Sequence, residues 1–338
     1  MKILVLFDLA RPSDPEETFS ARALKEEENK PTEADVLRSL KRLGHEVETL
    51  AVFNNVMGIV EKVTAFAPDI VFNLSESFYH DRSHEPNIPA LLELMNVPYT
   101  GAGPGGLLLC KDKALAKKVL AYHHVRVPHF VVSHRKNPLR HLRRFIYPAF
   151  VKPVCEESSD GISQASFVRE ENEAIERARF VHEKFNCDAM IEEYIEGREL
   201  YVSMLGNHRL TVFPPREIFF GQVPDDAPKF ATFHAKWNDA YRKKWGIKNA
   251  AAEALPEGVE AKLTKIARKV YRVLQIRGFG RIDVRLNPKG EVVVIEANPN
   301  PSLAQEDDFA QSAGMAGIEY DVLIQKILDT GCTQSPAE

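Results

Sequence analysis

Residues 280 to 300 contain Gly280-Arg281-Ile282-Asp283-Val284-Arg285 and Ile295-Glu296-Ala297-Asn298-Pro299-Asn300, separated by a turn at Asn287-Pro288-Lys289-Gly290. Side chains along a strand alternate between its two faces, so Arg281, Asp283 and Arg285 share one face of the first segment. Glu296 and Asn298 share a face of the second segment by the same rule. The turn predicts an antiparallel hairpin in which Asp283 lies almost opposite Glu296.

Two carboxylates that face each other across a hairpin destabilise it unless a cation compensates their charge. Asp, Glu and Asn supply oxygen ligands, which suit Mg²⁺, an ion that shares its coordination shell with nucleotide phosphates. The alternative is a half-exposed hairpin whose carboxylates pair with Arg281 and Arg285, because structural ion pairs are common at surfaces. The hairpin residues alone leave both interpretations open.

The composition narrows the class of protein. The chain has 338 residues, which is enough for about two domains with sizeable cores. Its 44 Lys and Arg and 48 Asp and Glu are interspersed, which argues against nucleic acid or a membrane as partner. The apolar start Met1–Leu9 is too short for a signal segment or a spanning helix, so a cytoplasmic protein is expected. The widely separated cysteines are expected to be reduced.

The first part of the chain alternates strand-like and helical patterns, which is typical of a parallel sheet with right-handed crossovers. The predicted elements are strands at Lys2–Phe7, Glu46–Leu50 and Asp69–Asn73, and helices at Glu33–Arg42, Met57–Phe66 and Ile88–Met95. The small residues in Pro98–Gly103 predict a tight turn, and the first domain is expected to end near residue 105.

The remainder has a mixed α+β pattern that begins with two helical stretches. The predicted strands are Phe130–Ser133, Ala149–Val154, Met190–Ile195, Leu200–Leu205, Leu210–Phe213, Phe279–Leu286 and Glu291–Ala297. A long helix is predicted over Glu257–Leu274, and a helix pair over Ala310–Leu328 is broken at Gly314–Gly317. Thr330–Glu338 is expected to be frayed.

Further segments with chemical character precede the hairpin. They are, in order, Tyr99–Gly103 with Asp112, Lys113 and Lys117; Phe150–Pro153; Glu156–Gly161; Met190–Leu200; and His234–Trp237. From about residue 70 almost to the end, this order of segments resembles the D-alanine–D-alanine ligase-like branch of the ATP-grasp superfamily. The resemblance implies an α/β Rossmann-like (pre-ATP-grasp) domain over residues 1–105, followed by a two-subdomain α+β ATP-grasp fold over 106–190 and 191–330, with a frayed tail at 331–338.

The resemblance also implies roles around the triphosphate of ATP. The expected ligands for two Mg²⁺ ions, which Mn²⁺ can replace, are Asp283, Glu296 and Asn298. Arg281 is expected to stabilise the acyl phosphate and the tetrahedral intermediate, where a fixed cation opposes developing negative charge. Lys236 is expected to reach the γ-phosphate.

The other expected ATP contacts lie upstream. The resemblance gives the phosphates to Lys113 and Lys152, the adenine to Glu192, Tyr194 and Ile195, and the ribose to Glu199. The alternative for Lys152 is a side chain that extends to the surface, and the alternative for residues 190–200 is a plain acidic surface strand. The segment Glu156–Gly161 is expected to close over the phosphates, with Ser158 in a catalytic role.

The positions that face the first substrate depart from the family. In place of a His-Gly start and a Gly-Glu-Asp-Gly loop, the chain has Asn73–Glu76 and Arg82–Asn87. Glu76 and Glu85 are expected to pair with a substrate ammonium. Ser158 and Ser159 are expected to contact this substrate, next to the bulkier Glu157.

The positions that face the second substrate also depart from the family, since Ser302 is followed by the acidic cluster Glu306–Asp308. Ser302 and Asp307 are expected to line this subsite. Acids there oppose a substrate carboxylate, which argues against D-alanyl-D-alanine and for an acceptor with an extra amine or polar group. The alternative is that these acids cap the helix that begins near Phe309.

The resemblance thus implies an ATP-dependent ligase that joins a small-molecule carboxylate to an amine through an acyl phosphate, on amino acids or small peptides. The alternatives are a phosphoryl transferase and a non-catalytic nucleotide-binding regulator, and a homodimer is a family-based expectation. A metal site at His80, Asp81 and His84 is disfavoured, because further ligands at tetrahedral spacing are missing.

Overall fold

The structure of the protein is a computed structural model that describes residues 1–14, 16–155, 161–224 and 227–333. These residues form three sheets, of which the first has three parallel strands in the order β2-β1-β3. Its elements are β1 (Lys2–Asp8), α1 (Ala21–Glu26), α2 (Pro31–Arg42), β2 (Glu46–Val52), α3 (Val56–Phe66), β3 (Ile70–Asn73) and α4 (Asn87–Leu94). The interior of β1 is apolar and buried, as a parallel strand covered on both faces requires. The predicted α/β layout is confirmed, and α1 is an additional helix.

The second sheet is antiparallel, with four strands in the order β4-β7-β5-β6. Its part of the chain comprises α5 (Pro104–Lys111), α6 (Lys113–Tyr122), β4 (Phe130–Ser133), β5 (Ala149–Pro153), β6 (Phe167–Val168), α7 (Glu171–Phe185) and β7 (Ala189–Glu193). Asp112 caps α6 by accepting hydrogen bonds from the amides of Ala114 and Leu115 at 3.0 and 2.9 Å. This cap fixes Lys113 at the first position of α6.

The third sheet is antiparallel in the order β11-β10-β8-β12-β13, with β9 paired to β8. Its elements are β8 (Arg198–Leu205), β9 (Thr211–Val212), β10 (Arg216–Phe220), α8 (Phe233–Trp237), α9 (Asp239–Trp245), β11 (Ile247–Ala251), α10 (Val259–Val273), β12 (Phe279–Leu286) and β13 (Val292–Asn298). Leu263, Ala267 and Val270 of α10 pack in one apolar cluster with Ile282 and Val284 of β12.

Strands β12 and β13 form the predicted hairpin. Asp283 is paired directly with Glu296, and Arg281 with Asn298. The register shifts between Asp283 and Val284. The regular pairing of the half of the hairpin next to its turn therefore ends where the polar residues begin.

The last two helices, α11 (Asp308–Met315) and α12 (Tyr320–Cys332), return to the first sheet, where Phe309, Leu323 and Ile327 join its apolar cluster. Fraying from Thr330 onward is wrong for Thr330–Cys332, which complete α12. A Cβ at Gly331 would lie 2.7 Å from Cδ1 of Ile70, so this glycine lets the helix pack closely on β3. Residues 334–338 lie outside the described residues. No helix in the described ranges has both the length and the apolar character needed to cross a membrane.

Candidate active site

The carboxylate of Asp283 is the centre of a hydrogen-bonded group on the hairpin. Arg281 donates to it through Nε at 2.7 Å and through Nη2 at 3.0 Å, and Asn298 donates through Nδ2 at 3.1 Å. The Arg281 guanidinium also lies 5.0 Å from the centroid of the Tyr201 ring. Burial raises the pKa of Asp283, and the charge of Arg281 opposes this rise. The ion pair with Arg281, which was the alternative to a metal site, is therefore present. It involves a buried carboxylate and not a half-exposed one.

Glu296, opposite Asp283, is paired with a different cation. Nζ of Lys113 lies 3.1 Å from its Oε1. Burial disfavours the charge on Glu296, but Lys113, Lys152 and Lys236 outweigh this effect and lower the pKa to about 2. Glu296 is thus ionised at neutral pH.

Lys236 is supplied by α8, a helix of one turn. Thr232 caps this helix by accepting a hydrogen bond from the Ala235 amide at 3.0 Å. The positive charge of Lys236 also opposes the burial that raises the pKa of Asp283. The structure therefore brings Lys236 to the same group of charges as the two hairpin carboxylates.

Glu192 lies between two buried lysines. Its Oε1 is 2.7 Å from Nζ of Lys152 and its Oε2 is 3.2 Å from Nζ of Lys117, which also donates to the carbonyl oxygen of Ile295 at 2.7 Å. The three charged residues are at most 4 % exposed, so Lys152 does not extend to the surface. Burial disfavours the charge on Glu192, and the two lysines reverse this effect and lower its pKa.

This arrangement adds two lysine partners to the adenine contact predicted for Glu192, which stays a prediction. Strands β5 and β7 are paired so that Phe150 lies opposite Glu192, which turns the carboxylate to the face of the sheet that carries Lys152. The carboxylate of Glu192 is therefore used by the lysines that were assigned to the phosphates. The backbone N–H of Tyr194, also predicted to meet adenine, donates to the carbonyl oxygen of Pro148 at 3.0 Å. Ile195 follows it as a buried residue.

Glu199, predicted at the ribose, is held in place by two partners. Its Oε2 accepts a hydrogen bond from Nη2 of Arg285 at 2.6 Å, and its Oε1 accepts one from the Tyr201 hydroxyl at 3.0 Å. Arg285 lies opposite Glu199 because β8 pairs with β12 in that register. Among the residues that the structure describes, Arg285 therefore pairs with Glu199 and not with the hairpin carboxylates.

The two acids predicted to bind a substrate ammonium have different surroundings. Glu85 is buried and accepts hydrogen bonds from Nζ of Lys111 at 2.7 Å and from Nδ2 of Asn300 at 3.0 Å. Glu76 is exposed as a residue, and its backbone amide donates to Oδ1 of Asp8 at 2.8 Å. Burial of its carboxyl group raises the pKa of Glu76 to about 7, and the charge of Arg82 opposes this rise.

The acidic cluster is divided in its roles. Asp308, in the first turn of α11, accepts hydrogen bonds from Nε of Arg216 at 2.7 Å and from Nδ2 of Asn249 at 2.6 Å. Asp307 is the exposed N-cap residue, and within the described part of the chain its side chain makes no capping hydrogen bond. Asp308 agrees with the capping interpretation, because its negative charge lies in the first turn, where a helix favours an acid. Over the residues that the structure describes, the side chain of Asp307 does not cap the helix. The Ser302 hydroxyl lies 3.0 Å from that of Thr32.

Two predicted residues, Ser158 and Ser159, fall outside the described residues, and the residues of the disfavoured metal site have other partners. His80 donates through Nε2 to the carbonyl oxygen of Ala10 at 2.7 Å, and Nε2 of His84 lies 3.9 Å from Asp81. Over the described ranges, no group of three or more His, Cys, Asp or Glu has an arrangement that could hold a metal ion.

Sequence reasoning assigned no role to Lys117, Arg216, Arg242 or Asn249. A signal was present for Lys117, which follows Lys113 by four residues and therefore lies on the same face of α6. The other three residues have no motif, and only the tertiary structure brings them together.

Comparison with known proteins shows which family the chain resembles. A family profile described as "D-ala D-ala ligase C-terminus" matches residues 112–329. A protein of Sinorhizobium fredii described as uncharacterized is 31 % identical over 306 residues, which are 87 % of this chain and 85 % of that protein. A D-alanine–D-alanine ligase of Moorella thermoacetica is 28 % identical over 302 residues, which are 87 % of this chain and 91 % of that protein.

The crystal structure of a D-alanine–D-alanine ligase from Bacillus anthracis complexed with ATP has the same fold. Its TM-score is 0.74 at 21 % sequence identity, and the match covers 98 % of each chain. The profile match spans more than half of the present chain. The chain therefore belongs to the D-alanine–D-alanine ligase family and is an ATP-grasp ligase.

Proposed function

We propose that the protein uses MgATP to phosphorylate the carboxylate of one amino acid or small peptide and joins it to the amine of another, with a product other than D-alanyl-D-alanine. The supporting observation is a group of buried or partly buried charges around the hairpin. Its cations are Lys113, Lys117, Lys152, Lys236 and Arg281, and its anions are Glu192, Asp283 and Glu296. Burial of each charge costs roughly several kcal/mol of desolvation. A purely structural core avoids this cost by burying apolar side chains instead. A bound triphosphate with its metal ions would interact with all of these charged side chains.

The hairpin residues fit magnesium. Asp283, Glu296 and Asn298 offer oxygen ligands, the two carboxylates lie directly opposite each other, and Glu296 is held ionised. Two carboxylates and an amide are too few for an all-protein cage, which suits ions that complete their coordination with phosphate oxygens and water. Two Mg²⁺ ions held there, or Mn²⁺ in their place, would neutralise charge on the phosphates of ATP.

The lysines would exchange partners when ATP binds. Lys113 and Lys152 now neutralise Glu296 and Glu192, and the nucleotide phosphates would replace or share these carboxylates as their anions. The adenine and ribose would lie along residues 192–199, where Arg285 and Tyr201 orient Glu199. The ATP complex of the Bacillus anthracis ligase, which has this fold, supports the proposal.

The reaction would proceed in two steps. An oxygen of the donor carboxylate attacks the γ-phosphorus, and the bond between that phosphorus and the β-γ bridging oxygen breaks, which gives an acyl phosphate and ADP. The acceptor amine then attacks the acyl carbon, loses a proton, and expels inorganic phosphate to leave an amide. Lys236 would oppose the charge on the transferred group, and Arg281, held by Asp283 and the Tyr201 ring, would oppose charge on the tetrahedral oxygen.

The two substrates would be recognised by different carboxylates. Glu76 would bind the donor ammonium, since Glu85 is committed to Lys111 and Asn300. Arg216 already neutralises Asp308, which leaves Asp307, with Ser302 nearby in sequence, to face the acceptor. A carboxylate there favours an acceptor with a second amine or another hydrogen-bond donor.

Hydroxylamine trapping tests the acyl phosphate without a known acceptor. The protein would be incubated with MgATP, hydroxylamine and single amino acids or dipeptides of both configurations, and hydroxamate and ADP would be measured. Equal amounts of ADP and hydroxamate with one donor are expected, and neither with Asp283→Asn. ADP with a stable phosphorylated substrate and no hydroxamate would identify a phosphoryl transferase instead.

A further inference from the structure

A hydrogen-bonded connection begins at the residue that precedes Lys236. Arg242 of α9 donates to the carbonyl oxygen of Ala235, and its Nη2 donates to Oδ1 of Asn249 at 3.2 Å. Asn249 belongs to β11, so this arginine ties the one-turn helix α8 to the edge of the third sheet.

The connection continues from Asn249 to the acceptor side. Nδ2 of Asn249 donates to Asp308 at 2.6 Å, and Arg216 donates to Asp308 through Nε at 2.7 Å and to the carbonyl oxygen of Asn249 through Nη2 at 3.0 Å. Arg216 and Asp308 have side chains that are 11 % and 12 % exposed, so their ion pair is well shielded from water. We call Arg216, Arg242, Asn249 and Asp308 the relay.

Helix α8 needs such an attachment. A helix of five residues cannot hold its own conformation in water, because nucleation costs more than one turn of hydrogen bonds returns. Its buried residue Ala235 packs with Tyr201, Ile218 and Ile247, and Arg242 fixes the carbonyl group of that same residue. The position of Lys236 is thus set by a neighbour that the relay holds.

The other end of the relay lies beside groups assigned to the reaction. Asp308 follows Asp307 in the first turn of α11, and its charge acts on Arg281. The relay therefore connects the helix that carries Lys236 to the start of α11 by hydrogen bonds, and among the described residues it reaches Arg281 only through the charge of Asp308.

We propose that Arg242 and Asn249 are positioning residues that hold Lys236 in place for the γ-phosphate, and that Asp308 sets their position from the acceptor side. The proposal rests on the proposed function, because it requires that ATP binds at Lys236. None of the four relay side chains needs to touch ATP.

The protein carries its own reporter for this region. Its two tryptophans are Trp237, next to Lys236, and Trp245, at the end of α9. Trp245→Phe would leave Trp237, which is 61 % exposed, as the single fluorophore on α8. A change in its emission then reports on the segment that carries Lys236 independently of turnover.

The experiment is a titration of the Trp245→Phe protein with Mg²⁺ and a non-hydrolysable ATP analogue, followed by Trp237 emission and by calorimetry. Arg242→Ala and Asn249→Ala are each expected to weaken binding about tenfold, the effect of losing hydrogen bonds to a charged or buried group, and to reduce the emission change. Arg242→Lys is expected to restore part of both. Asp308→Asn, a substitution at the other end of the relay, should also reduce the emission change of Trp237.

Lys243→Ala is the matched control, because Lys243 is an exposed residue of α9 that leaves the relay intact. It should bind within about twofold of the parent, since exposed surface charges have small effects. Thermal melting of every variant would separate a local effect from unfolding. Unchanged affinity and emission in folded Arg242→Ala and Asn249→Ala would overturn the relay while leaving the proposed function standing. A parent protein that binds no nucleotide by calorimetry would overturn the proposed function, and the relay with it.

Discussion

Oε1 of Glu192 lies 2.7 Å from Nζ of Lys152, in a pair that is nearly closed to water. Lys117 approaches the other carboxylate oxygen, so one anion serves two buried cations. In the absence of phosphate, the negative charge of Glu192 thus offsets the desolvation cost of burying both lysines.

Glu192→Gln should therefore destabilise the protein by about 3 kcal/mol, because it leaves two buried cations without their counter-ion. Denaturant unfolding measures this loss, and saturating MgATP should restore part of it, since bound phosphate replaces the missing anion. The adjacent Glu193→Gln is the control, because its partner Arg126 is about half exposed. Equal losses in the two variants would contradict the role of Glu192.

Asp283→Asn should reduce ADP formation at least about a hundredfold, because it removes both a proposed metal ligand and the partner that orients Arg281. Steady-state assays over a range of Mg²⁺ concentrations measure the effect, with Asp329→Asn on α12 as a distant control. EDTA should abolish activity of the parent, and either Mg²⁺ or Mn²⁺ should restore it. Activity that survives the chelator would rule out the metal site.

Glu76 and Glu85 form a matched pair of tests on the donor side. Glu76→Gln should raise the donor KM about tenfold with little change in stability, because it removes one charge-assisted contact to the donor, while burial already disfavours the charge on this carboxyl and raises its pKa to about 7. Glu85→Gln should mainly lower stability, by about 2 kcal/mol, since it weakens a buried ion pair with Lys111. The opposite pattern would place the donor ammonium at Glu85.

The sequence predicted the parts of this site that depend on local order. The bounds of Phe130–Ser133 and Phe279–Leu286 are as predicted, and Asp283 faces Glu296, because alternation and a single turn determine both. The sequence could not predict the partners of Glu192 and Glu199. Lys117 on α6 lies 75 positions from Glu192, and Arg285 on β12 lies 86 positions from Glu199, so only the tertiary arrangement of these elements brings the pairs together. The same holds for the relay, whose members share no motif.

The end of α12 gives a second example. Fraying is the usual fate of a polar terminus, but a tertiary contact prevents it here. Gly331 permits close contact with β3 at the end of the helix. At the start of α12, Asp321 accepts hydrogen bonds from two residues of α2, Ser39 at 2.7 Å and Arg42 at 2.6 and 2.9 Å. Such contacts to β3 and α2 cannot be predicted from the periodicity of α12.

Asp321 also gives a prediction for pH. Its hydrogen bond with Arg42, opposed by burial and supported by Ser39, lowers the pKa of this carboxyl below its usual 3.8. A lowered folded-state pKa contributes stability that is fully present above pH 4 and is lost as the pH falls through the folded value. Asp321→Asn should therefore cost about 0.5 to 1 kcal/mol at pH 7, a size typical of a partly exposed pair. The difference from the parent should shrink as the pH falls below 3.8 and disappear once the Asp321 carboxyl is protonated in the folded parent. Urea unfolding at several pH values measures this difference, and a gap that persists in acid would contradict the assignment.

The central claim is that the protein forms an amide between two small molecules at the expense of ATP. The most direct measurement is phosphate release with MgATP and pairs of amino acids and dipeptides of both configurations, together with mass spectrometry of the products. We predict release that requires both members of one pair, a new mass equal to their sum less water, and an acceptor with a second polar group. Release that is maximal with D-alanine alone and gives D-alanyl-D-alanine would contradict the proposed specificity, and phosphate release with no amide product from any active pair would contradict the ligase itself.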